Sequence, residues 1–281
     1  MKIGFIGLGI MGSRMAANLL NTENEVIVYN RSADKMSDLV SKGAKPANCV
    51  EALASEADVA FTMLSTPEVV RNIAEKMLPE LPAHSWWVDC STVNPSFSKE
   101  MGVLSEKHNV QFVDAPVAGS KVPAEAGELL FLAGGKEEKL LALQPFLEVM
   151  GKKTIYLNEI GNGANMKMLI NLLLAQSMTA FSEAIHLGKG MGLDESLLLN
   201  ILTATPVAAP FLGAIKPRLE QKIFDANFPL RWIHKDIMLA LDTASELGVT
   251  MKSLDQTEAL YKSALENGLG DEDFSAIYKS I

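Results

Sequence analysis

Lys167 and Asn171 stand four residues apart in GNGANMKMLIN, residues 161–171, directly after the glycine pair Gly161 and Gly163. On a helix this spacing puts both side chains on one face. A lysine so placed can hand a proton to a carbonyl oxygen and stabilise the alkoxide that forms, while the amide one turn later holds either the lysine or the substrate oxygen. The sequence puts Lys167 in the first turn of a long helix, at the seam of two lobes. The positive end of the helix dipole and burial together would lower its pKa from about 10.4 towards neutrality. The plain alternative, a surface lysine near a helix start, fits poorly because cations are disfavoured at that end.

A second constellation lies at the start of the chain. Ile3, Phe5 and Ile6 form a short apolar strand, Gly7-Leu-Gly9-Ile10-Met11-Gly12 follows, and a helix is predicted from Met11 to Leu20. A second strand, Glu25 to Tyr29, comes at βαβ distance. In that context the three glycines serve a tight turn, the close approach of a pyrophosphate and helix–strand packing, and the helix start offers free N–H groups to phosphate. Gly7, Gly9, Ile10, Met11 and Gly12 are the expected cofactor contacts, against the alternative of a glycine-rich turn with no ligand. Cofactor choice is read at Asn30-Arg31-Ser32. An NAD site usually has a carboxylate there for the ribose 2′-OH; a guanidinium in its place favours NADP(H). Otherwise Arg31 is a solvated loop residue.

Further buried strands are expected at Asp58–Leu64, Ser85–Asp89, around Phe112, Leu129–Leu132 and Thr154–Leu157, with helices after Pro67 and near Lys136–Glu148. Several end in small polar residues, on the edge where open α/β sheets bind ligands. From Asp194 onward helical periodicity dominates, with helices at Asp194–Thr203, Pro210–Glu220, Leu230–Leu247 and Ser253–Asn267 and a short one near Phe274. Asp194 is the expected N-cap of the first, and Ala259, Leu260, Ala264 and Leu265 the core face of the fourth. The fold class is an α/β Rossmann domain (1–160), a long interdomain helix (161–192) and an all-α domain (193–281). The apolar residues 166–174 point nearly all round the helix, which implies burial on several sides, and the run is too short to span a bilayer.

Composition excludes some classes. The net charge is −9 with no basic tract, which argues against nucleic acid. Cys49 and Cys90 have no CxxC or histidine companion, and the four histidines (His84, His108, His186, His234) are scattered singly, so neither a disulfide framework nor a metal is expected. Cys90 reads as a small buried residue rather than a nucleophile. No presequence is recognisable, so a reducing, cytoplasmic setting without membrane attachment is the default.

Four features, in order, resemble the β-hydroxyacid dehydrogenase family: the first glycine motif, DAPVAGS at 114–120, the Gly161–Asn171 stretch, and Lys235-Asp236 in FPLRWIHKDIMLA. The FPLR…KD…LA and GLGDEDFSA strings are similar to the glyoxylate and succinic semialdehyde reductase branch, which reduces small aldehyde acids with NADPH. The resemblance implies catalytic Lys167 and Asn171, with Met63, Leu64 and Ser65 on the adenine or ribose side. It puts Thr92 and Ser91 near the nicotinamide and has Lys235 reaching the cofactor. It further implies a substrate carboxylate held by Gly119 and Ser120, Phe228 closing over the substrate, Asp236 anchoring the helical part, and a homo-oligomer (dimer or tetramer). Taken alone, Lys235-Asp236 reads equally well as a solvated surface pair. One departure is Ala118, where the family usually has serine; the missing hydroxyl bears on substrate identity, at about 1.5–3 kcal/mol for a donor lost to a charged group. Three readings follow: an NADPH-dependent aldehyde-acid reductase, a 3-hydroxyisobutyrate-type dehydrogenase, and a non-catalytic NADP-binding interaction module.

Overall fold

The computed structural model describes residues 1–281. The chain divides into two compact units, Met1–Met168 and Leu169–Ile281.

In the first unit, strands β1 (Lys2–Ile6), β2 (Glu25–Tyr29), β3 (Lys45–Pro46), β4 (Val59–Thr62), β5 (Trp86–Asp89) and β6 (Gln111–Asp114) form one parallel sheet in the order β3-β2-β1-β4-β5-β6. The strands are near-continuous apolar runs because both faces are covered, and the two apolar cores centre on Phe5 with Phe61 and on Trp87 with Leu53. Register aligns the strand ends: Tyr29, Ile6, Thr62, Asp89 and Asp114 form one row across the sheet. The chain therefore leaves β1, β2, β4, β5 and β6 along a single edge, and the order reverses between β1 and β4, the usual place for a ligand crevice. Helix α1 (Gly12–Leu19) follows β1.

A second sheet, β7 (Val117–Ala118), β8 (Leu129–Ala133) and β9 (Gly151–Tyr156), completes this unit. Here expectation and structure differ in two places. β9 starts at Gly151 rather than Thr154, since its first turns of chain carry exposed Lys152 and Lys153 and lack an apolar signal. The helix expected at Lys136–Glu148 is broken into Glu137–Leu140, a 3-10 turn at Leu141–Leu143 and Gln144–Met150. Pro145, which cannot donate within a helix, falls in the first turn of the last piece. The helix Pro95–Lys107 has no counterpart among the expected elements, although Asn94-Pro95 marks its start.

Helix α2 spans Asn162–Gly190. Two expectations about it need correction. It is buried on one face only: Ala164, Met168, Asn171, Ala175, Met178, Ser182 and Ile185 are buried, while Met166, Leu169, Leu173 and Leu187 are 39–64% exposed. Within the single chain, apolar character all round does not mean burial all round. Its length and an 18-residue stretch of mean hydropathy 1.3 are also enough, by composition alone, for a membrane-crossing helix, a test that the core helix of a soluble protein passes too. Asn171 and Gln176 do not lower the mean enough to exclude it.

The second unit continues α2 with α3 (Glu195–Ala204), α4 (Phe211–Glu220), α5 (Leu230–Glu246) and α6 (Lys252–Glu266), then a 3-10 turn at Phe274–Lys279. Asp194 caps α3, its Oδ1 accepting from Leu197 N–H at 3.0 Å. The buried face of α6 is Leu254, Thr257, Tyr261 and Ala264, with Ala259 exposed; weighting Ala and Leu over the larger Tyr261 placed the face one step out of phase.

Candidate active site

The edge of the parallel sheet carries the nucleotide turn. Gly7 has φ +98°, and a Cβ on it would stand 2.3 Å from the carbonyl oxygen of Met63. A Cβ on Gly12 would stand 1.9 Å from the carbonyl oxygen of Gly7. Internal packing thus accounts for both. It does not account for Gly9, whose Cβ would meet no atom of the chain. A phosphate approaching the backbone there supplies the missing reason. The N-terminus of α1 carries no side-chain cap, so its first N–H groups remain suited to an anion. Ile10 and Met11 are half-buried beside it.

Asn30 has a second task. Its Oδ1 accepts from Leu8 N–H at 2.9 Å and its Nδ2 donates to Ser32 O at 3.1 Å, so its amide braces the glycine turn. Arg31 and Ser32 are exposed, and Arg31 has no ion pair within the chain. These residues fit a nucleotide whose ribose lies at the end of β2, with a guanidinium available to a 2′-phosphate.

Across β4 and β5 a buried relay fixes the edge. Trp87 Nε1 donates to Thr62 Oγ1 (2.8 Å), Thr62 Oγ1 to Asp89 Oδ1 (2.8 Å), and Ser91 N–H to the same Oδ1 (3.1 Å). Ser91 Oγ accepts from Leu64 N–H at 2.9 Å. Ser91 is buried, while Met63, Leu64, Ser65 and Thr92 are half-buried along the edge. The indole of Trp87, given no task from sequence, is part of what holds them. Cys90 is buried, and burial first, then Asp89, pushes its thiol well above the ordinary range, as expected of a packing residue.

Asp114 is the functional residue that sequence reasoning passed over inside DAPVAGS. Its Oδ1 accepts from Gly161 N–H and its Oδ2 from Ala164 N–H, both at 2.8 Å. A strand-end carboxylate thereby caps the helix bearing Lys167. The glycine at 163 follows from the close approach of two strand ends: a Cβ there would lie 2.2 Å from Leu132 O, 2.8 Å from Asp114 O and 2.9 Å from Asp114 Oδ2. Burial raises the carboxyl of Asp114 to about 6, against the opposing hydrogen bonds from Gly161 and Ala164. A helix that begins at Asn162 puts Lys167 in its second turn, not the first. The dipole fades within one turn, so that part of the argument for a depressed amine pKa falls away. Gly119 (φ +123°) and half-buried Ser120 follow Ala118 at the end of β7.

In the second unit three expected residues meet. Asn171 Nδ2 donates to Asp236 Oδ2 at 2.6 Å, and Lys235 Nζ contacts Asp236 Oδ1 at 2.8 Å. Asp236 is 3% exposed, so the pair is not a solvated surface pair. An acceptor-only carboxylate fixes which way the Asn171 amide points. Phe228 is half-buried, its ring 6.1 Å from that of Phe274.

A doubly wound parallel sheet with an uncapped glycine-turn helix, followed by a helical unit, is the architecture of a dinucleotide-binding protein. Residues 2–158 match the family model described as the NAD-binding domain of 6-phosphogluconate dehydrogenase, and residues 161–281 that of NADP-dependent 3-hydroxyisobutyrate dehydrogenase. The chain belongs to the β-hydroxyacid dehydrogenase family. It is 36% identical to glyoxylate/succinic semialdehyde reductase 2 of Arabidopsis thaliana, over 100% of this chain and 79% of that one. With glyoxylate/succinic semialdehyde reductase 1 of the same plant it shares 34%, over 100% and 98%. Among solved structures, a Mycobacterium tuberculosis 3-hydroxyisobutyrate dehydrogenase with L-serine superimposes with a TM-score of 0.90 at 28% identity, over 99% of this chain and 98% of that one.

Proposed function

We propose that the protein uses NADPH to reduce a small aldehyde acid, of the succinic semialdehyde or glyoxylate kind, to the hydroxy acid. The observation that carries the reading is the pairing of Lys167 and Asn171 one turn apart on α2, with the helix start tied down by Asp114 and the asparagine by Asp236. A scaffold protein needs neither residue. The aldehyde-acid class rests on the two plant reductases, whose similarity runs the length of this chain.

Gly7, Gly9, Ile10, Met11 and Gly12 bind the pyrophosphate; Arg31 and Ser32 bind the 2′-phosphate; Met63, Leu64, Ser65, Thr92 and Lys235 bind the remainder. Bound reduced nicotinamide supplies a hydride. Gly119 and Ser120 receive the substrate carboxylate through backbone N–H groups, with Ser91 in the same unit; the family resemblance assigns Phe228 and Asp236 to the substrate as well. Lys167 Nζ–H donates its proton to the carbonyl oxygen as negative charge develops there, and the neutral amine is reprotonated from water. Asn171, its Nδ2 given to Asp236, offers Oδ1 as an acceptor on the lysine's side of the helix.

We propose a cytoplasmic setting, and that a second copy of the chain covers the exposed apolar stripe Leu169, Leu173 and Leu187 of α2, since such stripes mark association surfaces. The test of activity is NADPH consumption with C2 to C5 aldehyde acids. Turnover with glyoxylate or succinic semialdehyde supports the reading. Oxidation of 3-hydroxyisobutyrate with no reductive turnover would replace it by the dehydrogenase alternative, and no turnover in either direction would sink both.

A further inference from the structure

The GLGDEDFSA string near the C-terminus has no task in the chemistry above, yet it holds a buried carboxylate with a full set of partners. Asp273 is 1% exposed. Its Oδ1 accepts from Ser275 N–H (3.2 Å) and Ser275 Oγ–H (2.7 Å), and its Oδ2 from Asn227 N–H (2.9 Å) and Phe228 N–H (3.2 Å). Backbone bonds flank it on both sides. Asp273 N–H donates to Phe224 O, Phe274 N–H to Phe228 O, and Leu230 N–H to Glu272 O, each at 2.8 Å. Residues 272–274 thus run as a splint along the loop 224–230, pairing Pro229 with Asp273. The Phe274 ring lies between Phe211 and Phe228, 6.0 and 6.1 Å from them.

A loop of this kind, with Asp225, Ala226 and Asn227 outside any regular element, has little of its own to fix φ and ψ. An aspartate that only accepts, given two consecutive N–H groups, fixes it as a cap fixes a helix start. The residue at the end of the capped segment is Phe228, which is half-buried.

We infer that Asp273 is a positioning residue for substrate binding, acting through the backbone of Asn227 and Phe228 to hold the Phe228 ring at the substrate. This rests on the reading that Phe228 closes over the aldehyde acid. The C-terminal string is then a splint for substrate affinity rather than an inert tail.

The experiment is a double-mutant cycle on the full chain: Phe228→Ala, Asp273→Ala and the double variant, with KM for succinic semialdehyde, KM for NADPH and the melting temperature measured for each. Asp273→Ala is expected to raise the aldehyde KM about tenfold, leave the NADPH KM within about twofold, and add less than about twofold once Phe228 is already alanine. A purely structural role lowers the melting temperature without that non-additivity. Should Asp273→Ala fail to fold, Ser275→Ala removes one bond of the four and is expected to raise the aldehyde KM about threefold, again only when Phe228 is present. Equal factors in both backgrounds, or an unchanged KM in the folded variant, overturn the inference alone. An unchanged KM for Phe228→Ala overturns the reading of Phe228 and the inference with it.

Discussion

Asp114 and Ala164 lie 50 residues apart in the chain, yet the Oδ2 of the one accepts the N–H of the other at 2.8 Å. Through this bond the end of β6 sets where α2 begins, and so where Lys167 falls. The Asp114 carboxyl, raised by burial from 3.8 to about 6, makes the bond pH-dependent. Between about pH 4 and 6 the native protein holds a proton there that the unfolded chain has released, so this group's part of the stability falls as pH rises through that window and is flat above it. Asp114→Asn removes the titration, and other carboxylates cancel in the difference. Measured by denaturant unfolding from about pH 4 to about pH 7, the stability of Asp114→Asn relative to the parent should improve with pH, by up to about 3 kcal/mol. A difference that stays constant over that range contradicts the assignment.

Arg31 is exposed and unpaired within the chain, at the point where a 2′-phosphate would lie. Replacing it by aspartate puts a carboxylate where NAD sites carry one. Comparison of kcat/KM for the two coenzymes should show Arg31→Asp losing at least about tenfold with NADPH while NADH is kept or improved; a charge-assisted pair of about 1.5–3 kcal/mol sets that scale. Unchanged preference would mean that another residue reads the phosphate.

Asp236→Ala leaves the Asn171 amide and the Lys235 ammonium without their shared acceptor. A loss of about 1–3 kcal/mol in unfolding free energy is expected, together with lower turnover because the Asn171 amide is free to rotate. Full turnover in a folded Asp236→Ala protein would show that Asn171 needs no such hold.

The stripe on α2 gives a separate test. Leu173 is 64% exposed, and a charge there costs the isolated chain little. Leu173→Asp should leave the melting of the dilute chain nearly unchanged while shifting sedimentation to the monomer. An assembly that survives the substitution must use another face.

Much of this was legible in the sequence, for definite reasons. Gly7 and Gly12 announce the nucleotide turn by their spacing directly behind a short apolar strand, and the row that includes Thr62 and Asp89 follows from apolar runs of strand length. The four long C-terminal helices were readable from period and from the cap at Asp194. What could not be read was long-range. Nothing in DAPVAGS says that Asp114 receives the N–H of Gly161, 47 residues later, at the start of a helix, nothing around SWWVD says that Trp87 braces Thr62, and Lys235-Asp236 looks like any exposed pair until Asn171 is set against it. Exposure on α2 is hidden for the same reason, since composition alone does not separate a buried apolar face from an exposed one.

The most direct measurement concerns Lys167 itself. Arginine keeps the charge but cannot give up a proton at working pH, and alanine removes both. With succinic semialdehyde or glyoxylate as substrate, Lys167→Ala and Lys167→Arg should each lower kcat by at least about a hundredfold, the scale of a general acid, while NADPH binding followed by fluorescence stays within about threefold of the parent. Near-normal turnover in either variant would contradict the assignment of Lys167 as the proton donor.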